Sequence, residues 1–196
     1  MGATSRVRMT PEDRRRQLVG IGLRKFVERP VQDLSLDEVA VEAGVSRGLL
    51  FHYFPTKTEY HRAVVQAAGR RVARTVSPDP GVTGDAAVRQ VVERFLDQVA
   101  RRRDSYVALV LGQAPIARSV DPDATVSLRT QVAEVVLAST GLAPESFPAV
   151  HGWVAYLEDR ALEWSATPAR SRGTRRAALV DHCTRALGLL TEVAVS

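Results

Sequence analysis

The residues able to do chemistry in this sequence sort into those without partners and those that cluster. Cys183 is the sole cysteine, so no internal disulfide and no thiolate metal cage can form, and a reducing compartment is its simplest setting. His52, His61, His151 and His182 show no metal-ligand spacing with carboxylates, no glycine-rich phosphate loop occurs, and Cys183 has no obvious base nearby. No catalytic machinery, metal or cofactor is therefore expected. What clusters is a run of polar and aromatic residues between Ser35 and Lys57, with Ser46 and Arg47 together at the start of a short helix. Such donors on one helical turn can meet base edges, and a serine or lysine at a helix start can meet a phosphate. Each also has an ordinary reading: Tyr53 as a half-buried aromatic, His52 as a surface histidine, Lys57 as a solvated charge.

Positioning such a cluster requires helices, and the whole sequence reads as helical. Apolar residues recur at 3.6-residue spacing in segment after segment, and no strand-like alternation survives. Thr10-Pro11-Glu12-Asp13 opens a first helix with a hydroxyl cap, a proline and two acids, and its stripe is Leu18, Ile21, Gly22 and Phe26. Pro30 ends it. Ser35 to Glu38 forms a capping box that starts a second helix lasting to Ala43; Gly44 supplies a left-handed stop, and Ser46 caps a third helix reaching Phe54. Thr56 to Glu59 forms another box and opens a fourth helix running to about Thr75. After a Pro/Gly loop from Ser77 to Gly84 come a fifth helix through Val88 to Val99, a sixth from Asp104 to Leu111, and a seventh from Asp121 to Gly141. An eighth runs from Pro148 to Ala166, a second loop from Ala169 to Arg176, and a ninth helix from Thr174 to Val193.

The second and third helices, joined by the tight turn Ala43-Gly44-Val45-Ser46, make a helix-turn-helix, in which the second member can enter the major groove while the first crosses the backbone. Tight helix pairs also occur in plain bundles. The string from Leu34 to Lys57, LSLDEVAVEAGVSRGLLFHYFPTK, with Gln17 to Arg29 before it, closely resembles the signature of the tetracycline-repressor (TetR) family. That resemblance implies an all-α, nine-helix architecture, with a DNA-binding helix-turn-helix domain over residues 1–56 and a ligand-binding and dimerisation domain over 57–196. It further implies a dimeric, ligand-responsive transcription factor. In that pattern Ser35 sits beside a phosphate; Ser46, Arg47 and Gly48 open the recognition helix; His52 and Tyr53 end it; Lys57 meets a phosphate. Leu49 stands where the family often has a small or polar residue and Phe51 where it often has tyrosine, so hydrogen bonding is lost at both, although Leu49 could touch a thymine methyl. Gly20, Gly22 and Pro30 depart from the pattern by weakening the first helix.

The body is less explicit. The eighth helix places Val150, Trp153, Val154, Leu157, Ala161 and Trp164 on one side, and the ninth aligns Leu179, Cys183, Ala186, Leu187, Leu190 and Val193. Two long amphipathic helices need a partner surface, supplied equally well by the same chain or by a second copy; the resemblance implies a homodimer through these last two helices. It also points to Phe95, Tyr106, Leu109, Trp153, Leu157 and Trp164 around a small-molecule effector, each of which could as well be plain core. His151, Glu158 and Ser165 recur every seven residues at the edge of the stripe, where they line a cavity, fix dimer register or lie exposed on the rim.

Composition agrees with this reading without selecting it. The 196 residues are 45% hydrophobic and 25% charged, a globular composition with room for one domain or two small ones. Residues 1–75 hold 14 Lys+Arg against 8 Asp+Glu (+6) and the remainder 13 against 14 (−1), together the net +5. A basic head on a near-neutral body suits a polyanion-binding protein, or an arginine-rich solvated surface. Arg6 and Arg8 ahead of the first helix could add phosphate or minor-groove contacts. The apolar run Leu18 to Leu23 is too short for a membrane span or a secretion signal, so a cytoplasmic protein that meets no membrane is expected. The expected function is a DNA-binding regulator, a repressor released from double-stranded operator DNA by a small apolar molecule. Against it stand an all-helical enzyme and a helical interaction module that binds no DNA.

Overall fold

A computed structural model of the chain describes residues 9–28, 33–104, 106 and 128–194. Among the described residues there are eight α-helices and no strand: α1 (Pro11–Glu28), α2 (Leu36–Ala43), α3 (Arg47–Tyr53), α4 (Lys57–Val76), α5 (Gly84–Arg101), α6 (Leu128–Thr140), α7 (Phe147–Ala166) and α8 (Ala169–Ala194), with a short 3-10 turn at Pro144–Ser146. The all-α class expected from the periodicity is the one observed, with eight helices described where nine were expected. The expected helix from Asp104 to Leu111 and the start of the next at Asp121 fall largely outside the described residues, as do Leu109, Arg6 and Arg8.

Local rules set most of the boundaries. The Thr10 hydroxyl accepts a hydrogen bond from the Asp13 amide at 3.1 Å and donates to the Asp13 carboxylate at 2.7 Å, capping α1. Gly44 sits at φ 65°, ψ 35°, the left-handed position that ends α2. One expected box departs from its pattern: Ser35 precedes α2 in extended conformation but makes no side-chain capping bond. The stretch from Ala169, expected as a loop up to Arg176, is the first part of α8. Its four arginines are good helix formers, diluted by Ser171, Gly173 and Thr174 and without an apolar stripe, and the Arg172 carbonyl and the Arg176 guanidinium tie it to the Trp164 indole (3.2 Å) and to Asp97 (3.1 Å).

α4 joins two packing groups. It touches α1, which also carries α2, with α3 packed on α2; farther along, α4 packs on α5 and α6, which with α7 and α8 make the body. The approach of α1 to α4 is close because Gly22 has no side chain: a Cβ there would lie 2.5 Å from both the Tyr60 hydroxyl and Val64 Cγ2. Gly22 therefore admits Tyr60, whose buried hydroxyl donates to the Leu18 carbonyl at 2.8 Å, and burial pushes that phenol far above its usual pKa range. The sequence showed only the helix-weakening side of this glycine.

Candidate nucleic-acid interface

The interface starts from two apolar anchors. Leu50 and Phe54 are 0% and 1% exposed and share a core with Val39 and Ala40 of α2, which fixes how α3 rotates. With Leu50 inward, Ser46, Arg47, Gly48 and Leu49 form an exposed first turn, His52 is exposed a turn later, and Phe51 and Tyr53 are half-buried flanks. Ser46 Oγ accepts from the Leu49 amide at 3.1 Å, so it caps α3 while its O–H can still donate outward. The Arg47 guanidinium reaches back to the Asp37 carboxylate at 3.1 Å and lies 5.4 Å from the centre of the Phe51 ring. Because both partners of that ion pair are more than half exposed, it orients Arg47 and contributes little to stability. The His52 and Tyr53 rings meet edge to face at 5.5 Å.

Two helix starts flank this turn. Ser35 precedes α2 with its hydroxyl unused for capping, and Lys57 is the exposed first residue of α4, whose cap Thr56 accepts from the Glu59 amide at 3.1 Å. Both lie where amide N–H groups and the helix dipole favour an anion. The frame is held by ion pairs from α1 to α2: Glu42 takes Arg24 at 2.8 Å and Lys25 at 3.0 Å, and these two partners, Arg24 first, hold its carboxyl below the usual range. Behind Lys57, His61 is 6% exposed, bonded to the Leu34 backbone with no partner at Nε2. Burial first, and then the Lys57 charge, lower its pKa from 6.5.

Thus Ser46, Arg47, Gly48, Leu49, His52 and Lys57 all reach the surface, with Ser35, Phe51 and Tyr53 partly exposed beside them. Asp37, which holds Arg47, escaped the sequence reading because the contact crosses the turn and follows no helical spacing. His61 escaped because a buried histidine reads like any other.

In the body, Phe95, Trp153 and Leu157 are fully buried, Tyr106 is 3% and Trp164 8% exposed. Phe95 and Tyr106 meet edge to face at 5.7 Å, and the Trp153 indole donates to the Cys183 carbonyl at 2.8 Å. Among the described residues these five are core, and a hollow edged by Trp164, Arg160 and Leu179 is small, about 160 Å³. The heptad residues are not on an exposed rim: Glu158 and Ser165 are buried and His151 half-buried. Glu158 accepts from the Tyr106 hydroxyl at 2.8 Å through one oxygen and from Arg129 at 2.6 and 2.8 Å through the other. Cys183 is fully buried and its thiol is pushed up to about 11, as suits a small core residue. In α8, Leu187 belongs to the chain's own core, whereas Leu189 and Leu190 are 65% and 45% exposed. No helix among the described residues is long and apolar enough to cross a membrane.

Comparisons with known proteins agree with this geometry. A family described as "Bacterial regulatory proteins, tetR family" matches residues 22–64, which span the end of α1, the helix-turn-helix and the start of α4. The chain is similar to the HTH-type transcriptional regulator SrpR of Pseudomonas putida, 32% identical over 88 residues, 45% of this chain and 40% of that protein. It is also similar to the HTH-type transcriptional activator FasR of Mycolicibacterium smegmatis, 31% identical over 101 residues, 50% of this chain and 46% of that protein. The chain thus matches less than half the length of each. A TetR-family regulator from Streptomyces coelicolor superposes with a TM-score of 0.67 at 26% identity, over 95% of this chain and 90% of that one.

Proposed function

We propose that the chain is a regulator of the TetR family, similar as it is to that family over residues 22–64 and in fold to a TetR-family regulator over 95% of its length, and that it is a cytoplasmic, dimeric transcriptional regulator that reads operator DNA through α3 and has no catalytic role. The observation that carries this reading is the first turn of α3: four consecutive exposed residues on a rigid plug, flanked by the starts of α2 and α4. In it Gly48 has no internal reason to be glycine, since a Cβ there would have only Ser46 Oγ, 4.0 Å away, as a neighbour. A surface approaching the helix backbone from outside supplies that reason. Arg47 is the base reader, able to grip a guanine through its two-pronged guanidinium; Ser46, His52 and Tyr53 add donors; Leu49 and Phe51 add apolar contact; Ser35 and Lys57 hold phosphates.

The dimer forms through α7 and α8, supported by the exposed Leu189 and Leu190. Two recognition helices related by a two-fold axis then meet half-sites about 34 to 36 Å apart, or a multiple of that. The regulator acts as a repressor, released when a mostly apolar small molecule enters the body near Phe95, Tyr106, Leu109, Trp153, Leu157 and Trp164. The domain border falls at residues 56 and 57, where α4 starts as part of both halves. A gel-shift assay with the duplex upstream of the protein's own gene tests the assignment: retarded, saturable binding that random duplex does not compete away is expected, and binding no tighter than to random duplex would overturn it.

A further inference from the structure

We propose that the groove between α1 and α4 binds a small organic phosphate of nucleotide size, with two or more phosphoryl charges on an apolar or aromatic body. Two helix faces make this groove. α1 contributes Arg15 and Arg16, and α4 contributes Arg70, Arg71 and Arg74, around a volume of about 580 Å³, within the range of small-molecule sites. Its floor is apolar, built from Val19, Leu23 and Ala67, and Glu12 is the one acid on its rim. Five arginines less one glutamate leave four net positive charges around one concavity. Arg16 pairs with Asp13 at 2.8 Å and the Arg15 guanidinium lies 4.9 Å from the centre of the Phe54 ring, but no carboxylate among the described residues pairs with Arg70, Arg71 or Arg74.

Charge and floor together select the class. A single carboxylate would answer one guanidinium, whereas linked phosphoryl groups offer several bidentate partners in the geometry that guanidinium favours. An inorganic anion would leave the floor uncovered. A DNA backbone fits less well, because Arg70 is 13 residues along α4 from Lys57, about 20 Å at the helical rise. Only Arg15, over Phe54, approaches the end of α3, and no residue lining the groove is among those assigned to operator contact, so the proposal is independent of the operator-binding reading.

Calorimetric titration of the full chain with adenosine triphosphate, without divalent metal and at about 0.15 M salt, tests this. Saturable binding with one site per chain is expected, with inorganic triphosphate weaker and adenosine weaker still. The Arg70→Gln/Arg71→Gln/Arg74→Gln variant changes only exposed side chains and should lose about tenfold or more in affinity. Gly20→Leu fills the groove from a position where a Cβ meets nothing within 4 Å, so it should abolish binding without lowering the melting temperature. Glu12→Gln should strengthen binding. Absence of saturable binding, affinity unchanged in the Gly20 and arginine variants, or inorganic triphosphate binding as tightly as the nucleotide would each overturn the proposal. So would an arginine variant that keeps its nucleotide affinity and loses affinity for random duplex, which would make these arginines DNA contacts.

Discussion

Arg47 and Lys57 are both exposed cations at helix starts, and the proposed function gives them different work. Arg47 is aimed by Asp37 and Phe51, so Arg47→Ala should cost about 1 to 3 kcal/mol on operator and relax specificity at one base position, read by competition with substituted duplexes. Lys57→Ala should weaken operator and random duplex alike and lower the slope of log affinity against log salt by about one. Gly48→Ala separates stability from binding: stability should rise by up to about 1 kcal/mol of helix propensity, read as a higher melting temperature, while operator affinity falls. His61 carries the pH dependence of the head. Its folded pKa lies below 6.5, so on acidification the unfolded chain takes up the proton first, and stability is lost as pH falls through about 6.5. Melting at about pH 7.5 and about pH 5.5 should show this loss, and His61→Leu should reduce it.

At the scale of elements, legibility followed the physics of each signal. Caps and turn residues are local, so Thr10, Gly44, Ser46 and Thr56 could be placed from the sequence and mark the helix boundaries found. Contacts between helices are not local. Nothing in the sequence pairs Gly22 with Tyr60, Arg129 with Glu158 or Asp37 with Arg47, because each depends on which faces meet. The polar start of α8 is illegible for a related reason: it has no apolar periodicity, and Ser171, Gly173 and Thr174 offset the helix propensity of its arginines. Gly22→Ala should destabilise the fold by about 1 to 3 kcal/mol through the clash with Tyr60 and Val64, measured by chemical denaturation. Removing Arg129 strands the buried Glu158 carboxylate, so Arg129→Leu should destabilise more than Glu158→Leu, which removes the buried charge itself. The proposed dimer surface is best probed at Leu189 and Leu190, both exposed in the single chain: a double change to Glu should give a folded monomer by light scattering. Leu187→Glu, which strikes the chain's own core, should unfold it.

For the whole molecule, α4 is the one described helix that packs on both α1 and the body, beginning at Lys57 and ending near the α5 and α6 contacts. Its fit to α6 is tight, since a Cβ on Gly69 would lie 2.5 Å from Gln131 Nε2. A packed helix moves as a unit, so in the proposed dimer a ligand that prefers one arrangement of the body would shift Lys57 and the spacing of the two α3 helices. To release DNA it must favour the unbound form by about 1 to 3 kcal/mol or more. Apolar compounds that raise the melting temperature should lower operator affinity on titration into the complex. The central claim, that α3 of a dimer reads sequence, rests on one ratio: affinity for the duplex upstream of its gene over affinity for random duplex of equal length, at one salt concentration. A ratio of about 10³ or more that falls in Arg47→Ala is expected. A ratio near one, unchanged by that substitution, would contradict it.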